Sequence, residues 1–242
     1  MGPQTVQQSI HDRVDAVLKG DRPDSLPYID RLELWYKAHQ RAGTLPAGYR
    51  DLTLTEIHRQ VGIGQQVFRA AYAHRLRNAE MIVRFNGEVI RRETDPVVEF
   101  FPRLSGLAVQ DRAGITAIEI ITPVGRLTMQ HEMAEAMVRM GTQAYIREHI
   151  IKGDDDYRIA AYVLERMDFV PLYEGIYEEE DRLGGIGFVV PQLCRIPFQQ
   201  VLLEYLGDLN TFYALHDSPQ QIDRLLDVLD DRMLEALAHL TG

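Results

Sequence analysis

Gln192, Cys194 and Arg195 stand between the apolar run Phe188-Val189-Val190 and Pro197. Proline suits the first turn of a helix, so an amide, a thiol and a guanidinium sit where a strand hands over to a helix N-terminus. Such a place can hold an anionic group, and Arg195 is the residue that would act on it. A second constellation lies near the start of the chain. Arg31 can clamp a carboxylate with two parallel hydrogen bonds, Glu33 can serve as a metal ligand or proton acceptor, and Trp35 and Tyr36 can wall a planar ring. Tyr173, after another short apolar piece, could line the first of these sites together with Gln192, Cys194 and Arg195. Each set has a plainer account. Arg31 and Glu33 read equally as a surface ion pair at a helix start, Trp35 and Tyr36 as core packing residues, Tyr173 as a helix-surface residue, Cys194 as a small buried hydrophobe and Arg195 as half of a structural pair.

Other motifs carry less. His131-Glu132-Met133-Ala134-Glu135 has the outline of a metalloprotease helix, but Glu135 replaces the second histidine, so two imidazoles cannot meet one zinc. Gly62, Gly64 and the Gly184-Gly185-Gly187 cluster lack the spacing of a phosphate or dinucleotide loop and read as turns.

The elements that would position these residues follow from periodicity. A helix over about Gln4 to Leu18 ends at Gly20, and Thr53 with Glu56 forms the reciprocal capping pattern of a helix start. A helix is expected from Gln65 to Leu76, leading into the apolar run Met81-Ile82-Val83. Between Val97 and Met133 apolar residues alternate with glycine punctuation, which suits an antiparallel meander. Helices are expected over Asp154 to Arg166, Tyr173 to Leu183, Pro197 to Tyr205, Thr211 to His216 and Pro219 to Leu240, the last with a stripe at 222, 225, 226 and 229 under an acidic face. Four apolar segments, near 26, 81, 168 and 188, read as buried parallel strands.

The 242 residues carry 26 basic against 36 acidic side chains, a net charge of −10. A chain of this length buries roughly 70% of its unfolded surface without needing disulfides or a structural metal. The negative charge opposes nucleic-acid binding, no apolar stretch approaches a membrane span, and the single cysteine fits a reducing, cytoplasmic setting.

The segment Leu26 to Leu52, LPYIDRLELWYKAHQRAGTLPAGYRDL, resembles the N-terminal region of the uroporphyrinogen decarboxylase superfamily, which includes the corrinoid-linked methyltransferases. TPVGRL at Thr122 to Leu127 is similar to a hairpin of the methyltransferase-like members, and IKGDDDY at Ile151 to Tyr157 to the segment before their next helix. GFVVPQLCRIPFQQVLLEYLG, Gly187 to Gly207, and YALHDSPQQIDRLLDVL, Tyr213 to Leu229, resemble a strand-turn-helix and the helix pair that follows. The resemblance implies an α/β protein with a partial (β/α)8 TIM-type barrel at 26–242, a helical extension at 1–25 and an antiparallel insertion at about 97–133. The chain would then be a fragment, a short relative or one piece of a split barrel, completed by a second chain or a second copy.

By the same resemblance the activity is corrinoid-dependent methyl transfer, the corrinoid being carried on a partner protein. The alternatives are decarboxylation of a tetrapyrrole's carboxylate side chains and a non-catalytic binding or scaffold role. Tetrapyrrole carboxylates would be gripped by Arg31, Arg195 and the arginines of QRAGTLPAGYR, Arg41 and Arg50. The family's methyltransferases build a zinc site from a His-x-Cys pair and a later cysteine, and Cys194, with no histidine two residues away, does not complete that set.

Overall fold

The computed structural model describes residues 8–241. In chain order the elements are α1 (Ile10–Lys19), β1 (Ile29–Asp30), α2 (Glu33–Ala42), α3 (Leu54–Val61), β2 (Gly64–Ala70), β3 (Tyr72–Leu76), β4 (Glu80–Phe85), β5 (Glu88–Thr94), β6 (Val97–Val98), β7 (Gly114–Thr122), β8 (Gly125–Met133), α4 (Glu135–Met140), β9 (Tyr145–Glu148), α5 (Asp154–Glu165), β10 (Met167–Pro171), α6 (Tyr173–Leu183), β11 (Gly187–Gln192), α7 (Pro197–Gln200), α8 (Asp208–Asp217) and α9 (Pro219–Thr241), with a π-helical turn over Val201–Tyr205. The protein is mixed α/β with open sheets. Two compact units share the chain: 8–71 with 139–141 and 172–192, and 72–138 with 142–171 and 193–241.

The first unit is built on a parallel sheet in the order β1-β2-β11. Its helices begin where local chemistry says they should. Ser9 and Asp12 cap α1 reciprocally, and Thr53 and Glu56 do the same for α3, as the Thr-x-x-Glu spacing indicates. The Gln4 to Gln7 part of the expected opening helix lies outside the described residues. Ile176, Leu183 and Val189 form the apolar contact between α6 and the sheet, with Val67 and Tyr173 packed against them. Buried Glu179 on α6 receives Arg69 from β2 at 2.7 Å and also Arg182, which in turn donates to Thr55 of α3 at 2.7 Å. One carboxylate thus ties three elements through charge-assisted bonds.

The helix expected over Gln65 to Leu76 is instead the strand pair β2 and β3. β2 is hydrogen-bonded on both sides, by β1 and β11. A helix there would leave β11 without a partner for its peptide groups, a penalty that outweighs the weak helical preference of the segment.

In the second unit a five-stranded antiparallel sheet runs β5-β4-β7-β8-β9, beside a three-stranded sheet β10-β3-β6. The antiparallel region therefore extends well beyond 97–133, from Glu80 to Glu148. Met81, Val83, Ile118, Ile120, Leu127 and Met129 pack with Val163 and Leu164 of α5 and with Ile222, Leu225 and Leu229 of α9, so the stripe read on the last helix is core. The TPVG turn joins β7 to β8, and Gly125, at φ +146°, would place a Cβ 2.5 Å from Cδ1 of Ile159.

Two segments expected to be parallel are antiparallel. β4 turns back into β5 through Asn86-Gly87, both at positive φ, the pairing that two-residue hairpins need. The segment near 168, now β10, lies antiparallel to β3 from Met167↔Leu76 to Pro171↔Tyr72. An apolar run of this length says that a strand is buried, not which way its neighbour runs.

Gly187 opens β11 against Gln65, and a Cβ there would lie 1.8 Å from the Gln65 carbonyl oxygen. Gly187→Ala is expected to lower stability by about 3 kcal/mol or more. Gly175→Ala, inside α6 with open space around it, should stabilise by about 0.5–1 kcal/mol. Urea unfolding of the two variants checks both; similar midpoints would show that the β2–β11 approach is not as tight as described.

Candidate functional site

In the first unit Arg31 follows the last residue of β1. Its guanidinium lies 5.3 Å from the centre of the Phe68 ring on β2 and pairs with Glu33 at 2.6 Å. Arg31 is largely exposed and Glu33 half-buried, and the Asp30 carboxylate receives the Arg31 backbone N–H and the Tyr28 hydroxyl. The clamp and the surface pair are thus both present: the guanidinium stands ready, with one carboxylate of its own already on it.

The neighbouring sequence candidates are directed elsewhere. Trp35 meets His39 and Tyr49 at ring distances of 5.2 and 6.3 Å, and the Tyr36 hydroxyl donates to the Leu52 carbonyl at 3.1 Å. Arg41 lies in the last turn of α2, and Arg50 donates to the Leu45 carbonyl at 3.3 Å. Tyr173 packs against the α6 core. Gln192 ends β11 and accepts the Ala71 N–H through its carbonyl.

In the second unit Cys194 and Arg195 precede α7, whose first residue is Pro197. Arg195 reaches Glu204 at 3.1 Å, and Glu204, with 7% of its side chain exposed, sits on the π-turn Val201–Tyr205. π-turns inside helices often mark functional sites. Burial pushes the Glu204 carboxyl up, against the pull of Arg103 and Arg195. Tyr205, next in the turn, is fully buried and edge-on to Phe101, and its hydroxyl has no hydrogen-bond partner among the described residues.

Cys194 opens onto a narrow cleft that it lines with Tyr72, His74, Phe169, Gln200 and Arg232, among apolar residues. Its cavity volume is about 10 Å³, room for about one water molecule. The Cys194 backbone N–H donates to the Tyr72 hydroxyl at 3.4 Å, and Gln200 donates to the Arg195 carbonyl at 2.7 Å. Burial pushes the Cys194 thiol up, which keeps it protonated and a poor nucleophile. Tyr72, His74 and Phe169 meet at ring distances of 5.0 to 5.4 Å, two of the three contacts edge-on.

Among the described residues no three His, Cys, Asp or Glu side chains gather as metal ligands. At Cys194 the carboxylate whose charge reaches the thiol, Glu204, is engaged by Arg195. These residues do not fit the zinc centre that the resemblance implies, and no zinc-borne step follows from them. Tyr72, His74, Phe169, Gln200, Glu204 and Arg232 were not singled out from the sequence. For Glu204 a signal exists: it is the one charge inside the apolar run Val201-Leu202-Leu203-Glu204-Tyr205-Leu206.

Comparison of the chain with protein-family models, with curated proteins and with solved structures finds no match. Among the described residues no helix is long and apolar enough to cross a membrane.

The titration of Glu204 has a sign that can be measured. Its midpoint is higher folded than unfolded, so the folded protein binds more protons in that window and stability falls as pH rises through it. Glu204→Gln, neutral throughout, is expected to match wild type near pH 4 and to be the more stable at pH 7. Arg195→Ala leaves the buried carboxylate alone and should cost about 1–2 kcal/mol at pH 7, less than a fully buried pair because Arg195 is 43% exposed. Thermal unfolding across this pH range decides, and a Glu204→Gln protein less stable at pH 7 would reverse the assignment.

Proposed function

We propose that this chain is a uroporphyrinogen decarboxylase-like protein that takes a tetrapyrrole-type ligand, a corrinoid or a porphyrinogen, at the Arg31 side of its parallel sheet. The observation that carries the reading is Arg31 itself, a guanidinium placed over an aromatic face directly after a parallel strand. Barrel enzymes gather their ligand-binding groups at that end of their strands, and a cation over a ring suits a planar, anionic partner.

The partial (β/α)8 barrel belongs to this reading. β1 and β2 are parallel, paired and consecutive in the chain with α2 and α3 between them, the neighbour relation of consecutive barrel strands, and β11, which returns after β3 to β10, adds a third parallel strand on the other side of β2. Methyl transfer involving a corrinoid held by a partner protein is the activity we attach to it. The TPVGRL turn, which forms a real hairpin here, supports that branch. Decarboxylation of a tetrapyrrole carboxylate is the second reading, favoured by Asp30 and Glu33 beside Arg31, since an acidic group could stabilise a protonated pyrrole. A second chain or second copy completing the barrel, and a reducing cytoplasmic setting suggested by the lone Cys194, go with either.

Ligand carboxylates must displace Glu33 from Arg31. Arg31→Ala is therefore expected to weaken binding by about tenfold or more, the worth of a charge-assisted bond. Glu33→Gln should tighten binding, because Arg31 no longer exchanges one carboxylate for another. Absorbance titration with coproporphyrin, which carries four carboxylates, measures both, with hydroxocobalamin, whose side chains are amides, as the corrinoid compared with it. Binding of neither compound, or affinities that ignore both substitutions, would overturn the reading.

A further inference from the structure

Helix α8 turns its large apolar residues outward. The residue it buries is Thr211, whose hydroxyl donates to the Gly207 carbonyl at 2.7 Å, and Ala214 packs partly buried against the core of the second unit. On the opposite side Leu209, Phe212 and Tyr213 are 61%, 66% and 60% exposed. At about 3.6 residues per turn, positions 209, 212, 213 and 216 make one stripe facing away from Thr211 and Ala214. Charge stands only at its ends, Asp208 at the N-terminus and the His216–Asp217 pair at the C-terminus. Single exposed apolar residues are ordinary on a protein surface, whereas a continuous stripe rimmed by polar groups marks a surface that something covers. Nothing among the described residues covers this one.

We propose that the stripe is a homodimer contact, in which α8 of a second copy of this chain lies antiparallel on α8 across a two-fold axis. The stripe is its own complement. Its midpoint falls between Phe212 and Tyr213, so an antiparallel copy sets Phe212 against the partner's Tyr213 and Leu209 against the partner's His216. Each contact is then made twice, as an isologous interface requires. The aromatic rings meet at the centre, where they contribute most. The same orientation brings each helix N-terminus to the other's C-terminus, where the helix dipoles attract.

The area fits this occupant. An aromatic side chain has about 150–250 Å² to bury, so the exposed shares of Phe212, Tyr213 and Leu209 come to roughly 350 Å² per copy. Standard interfaces begin at about 600 Å² per partner, a little over half of it apolar. The stripe therefore supplies the apolar part of a small interface, one that associates weakly, at ~10–100 μM. A lipid surface is the poorer occupant, because helices that lie on membranes carry Lys and Arg on their polar face, and positions 208–217 have neither in a chain of net charge −10. That charge makes two copies repel at long range, so salt, which screens it, should tighten the contact. The contact uses the second unit alone and does not rest on the Arg31 reading.

Sedimentation velocity of the full chain, from well below to well above ~100 μM, tests the proposal. The expected result is a reversible monomer–dimer equilibrium that added sodium chloride shifts toward dimer. Phe212→Glu, which sets a carboxylate in the middle of the stripe, should weaken association at least about 100-fold. Leu234→Glu, at an exposed leucine of α9 off the stripe, should leave it unchanged. Tyr213→Lys should weaken it as Phe212→Glu does. An equimolar mixture of these last two proteins should associate at least about tenfold more tightly than either alone, because position 212 of one then meets position 213 of the other. The replaced side chains are all exposed, and the wild-type equilibrium is read without any substitution. Assemblies larger than a dimer, Phe212→Glu that dimerises like wild type, an equal loss from Leu234→Glu, or a mixture that gains nothing would overturn the proposal. So would a monomer at every concentration, which would assign the stripe to a different protein or to a further segment of a longer chain.

Discussion

The first unit depends on one backbone approach. Gly187 lies so near the Gln65 carbonyl that no side chain fits between them, and from that point β11 stays in register with β2 up to Ala70↔Gln192. Next to the end of that register, Ala71 donates to the Gln192 carbonyl and receives the Leu172 N–H, so the unit closes around the point where the chain leaves and returns. Between them the chain makes a long excursion that builds its own antiparallel sheets. Closing so long a loop costs only slightly more than closing a shorter one, because the penalty grows with the logarithm of length. The demand is kinetic instead: strands distant in sequence must find each other before β2 has its second partner.

Both units place a carboxylate out of water and answer it with arginine. Glu179 binds together β2, α6 and, through Arg182, α3. Glu204 is answered by Arg195 from the turn ahead of α7. These pairs are expensive to break and weak as stabilisers in themselves, since desolvation offsets much of the attraction; what they contribute is a fixed geometry. They also show which arginines are available. Arg69, Arg182 and Arg195 are committed to buried acids, Arg31 holds a half-exposed one, and Arg232 is held by its two ends with a third nitrogen left over.

That distribution singles out the guanidinium that a large ligand could reach. A large anionic ring system needs an open, exchangeable guanidinium, which is Arg31 over Phe68. The Cys194 thiol, raised by burial beside Tyr72, contributes shape to the cleft more than reactivity.

Wherever the decisive interactions are local, the amino-acid sequence was enough by itself. The Thr53–Glu56 cap, the start of α5 at Asp154, α6, Pro197 at the head of α7 and the buried stripe of α9 all follow from contacts within a turn or two. The strand at Phe188 to Val190 and its parallel pairing were also legible, as a continuous apolar run. Asn86-Gly87 announced a hairpin that was there to be read. Tertiary structure alone decided the rest: that Gln65 to Leu76 is extended, that β10 runs against β3, that Arg195 is matched by Glu204, and that His74, Phe169 and Arg232 share one cleft although some 160 positions separate the first from the last. In each case the deciding hydrogen bond or ring contact comes from a partner far along the chain, and local propensity, worth tenths of a kcal/mol per residue, does not resist it.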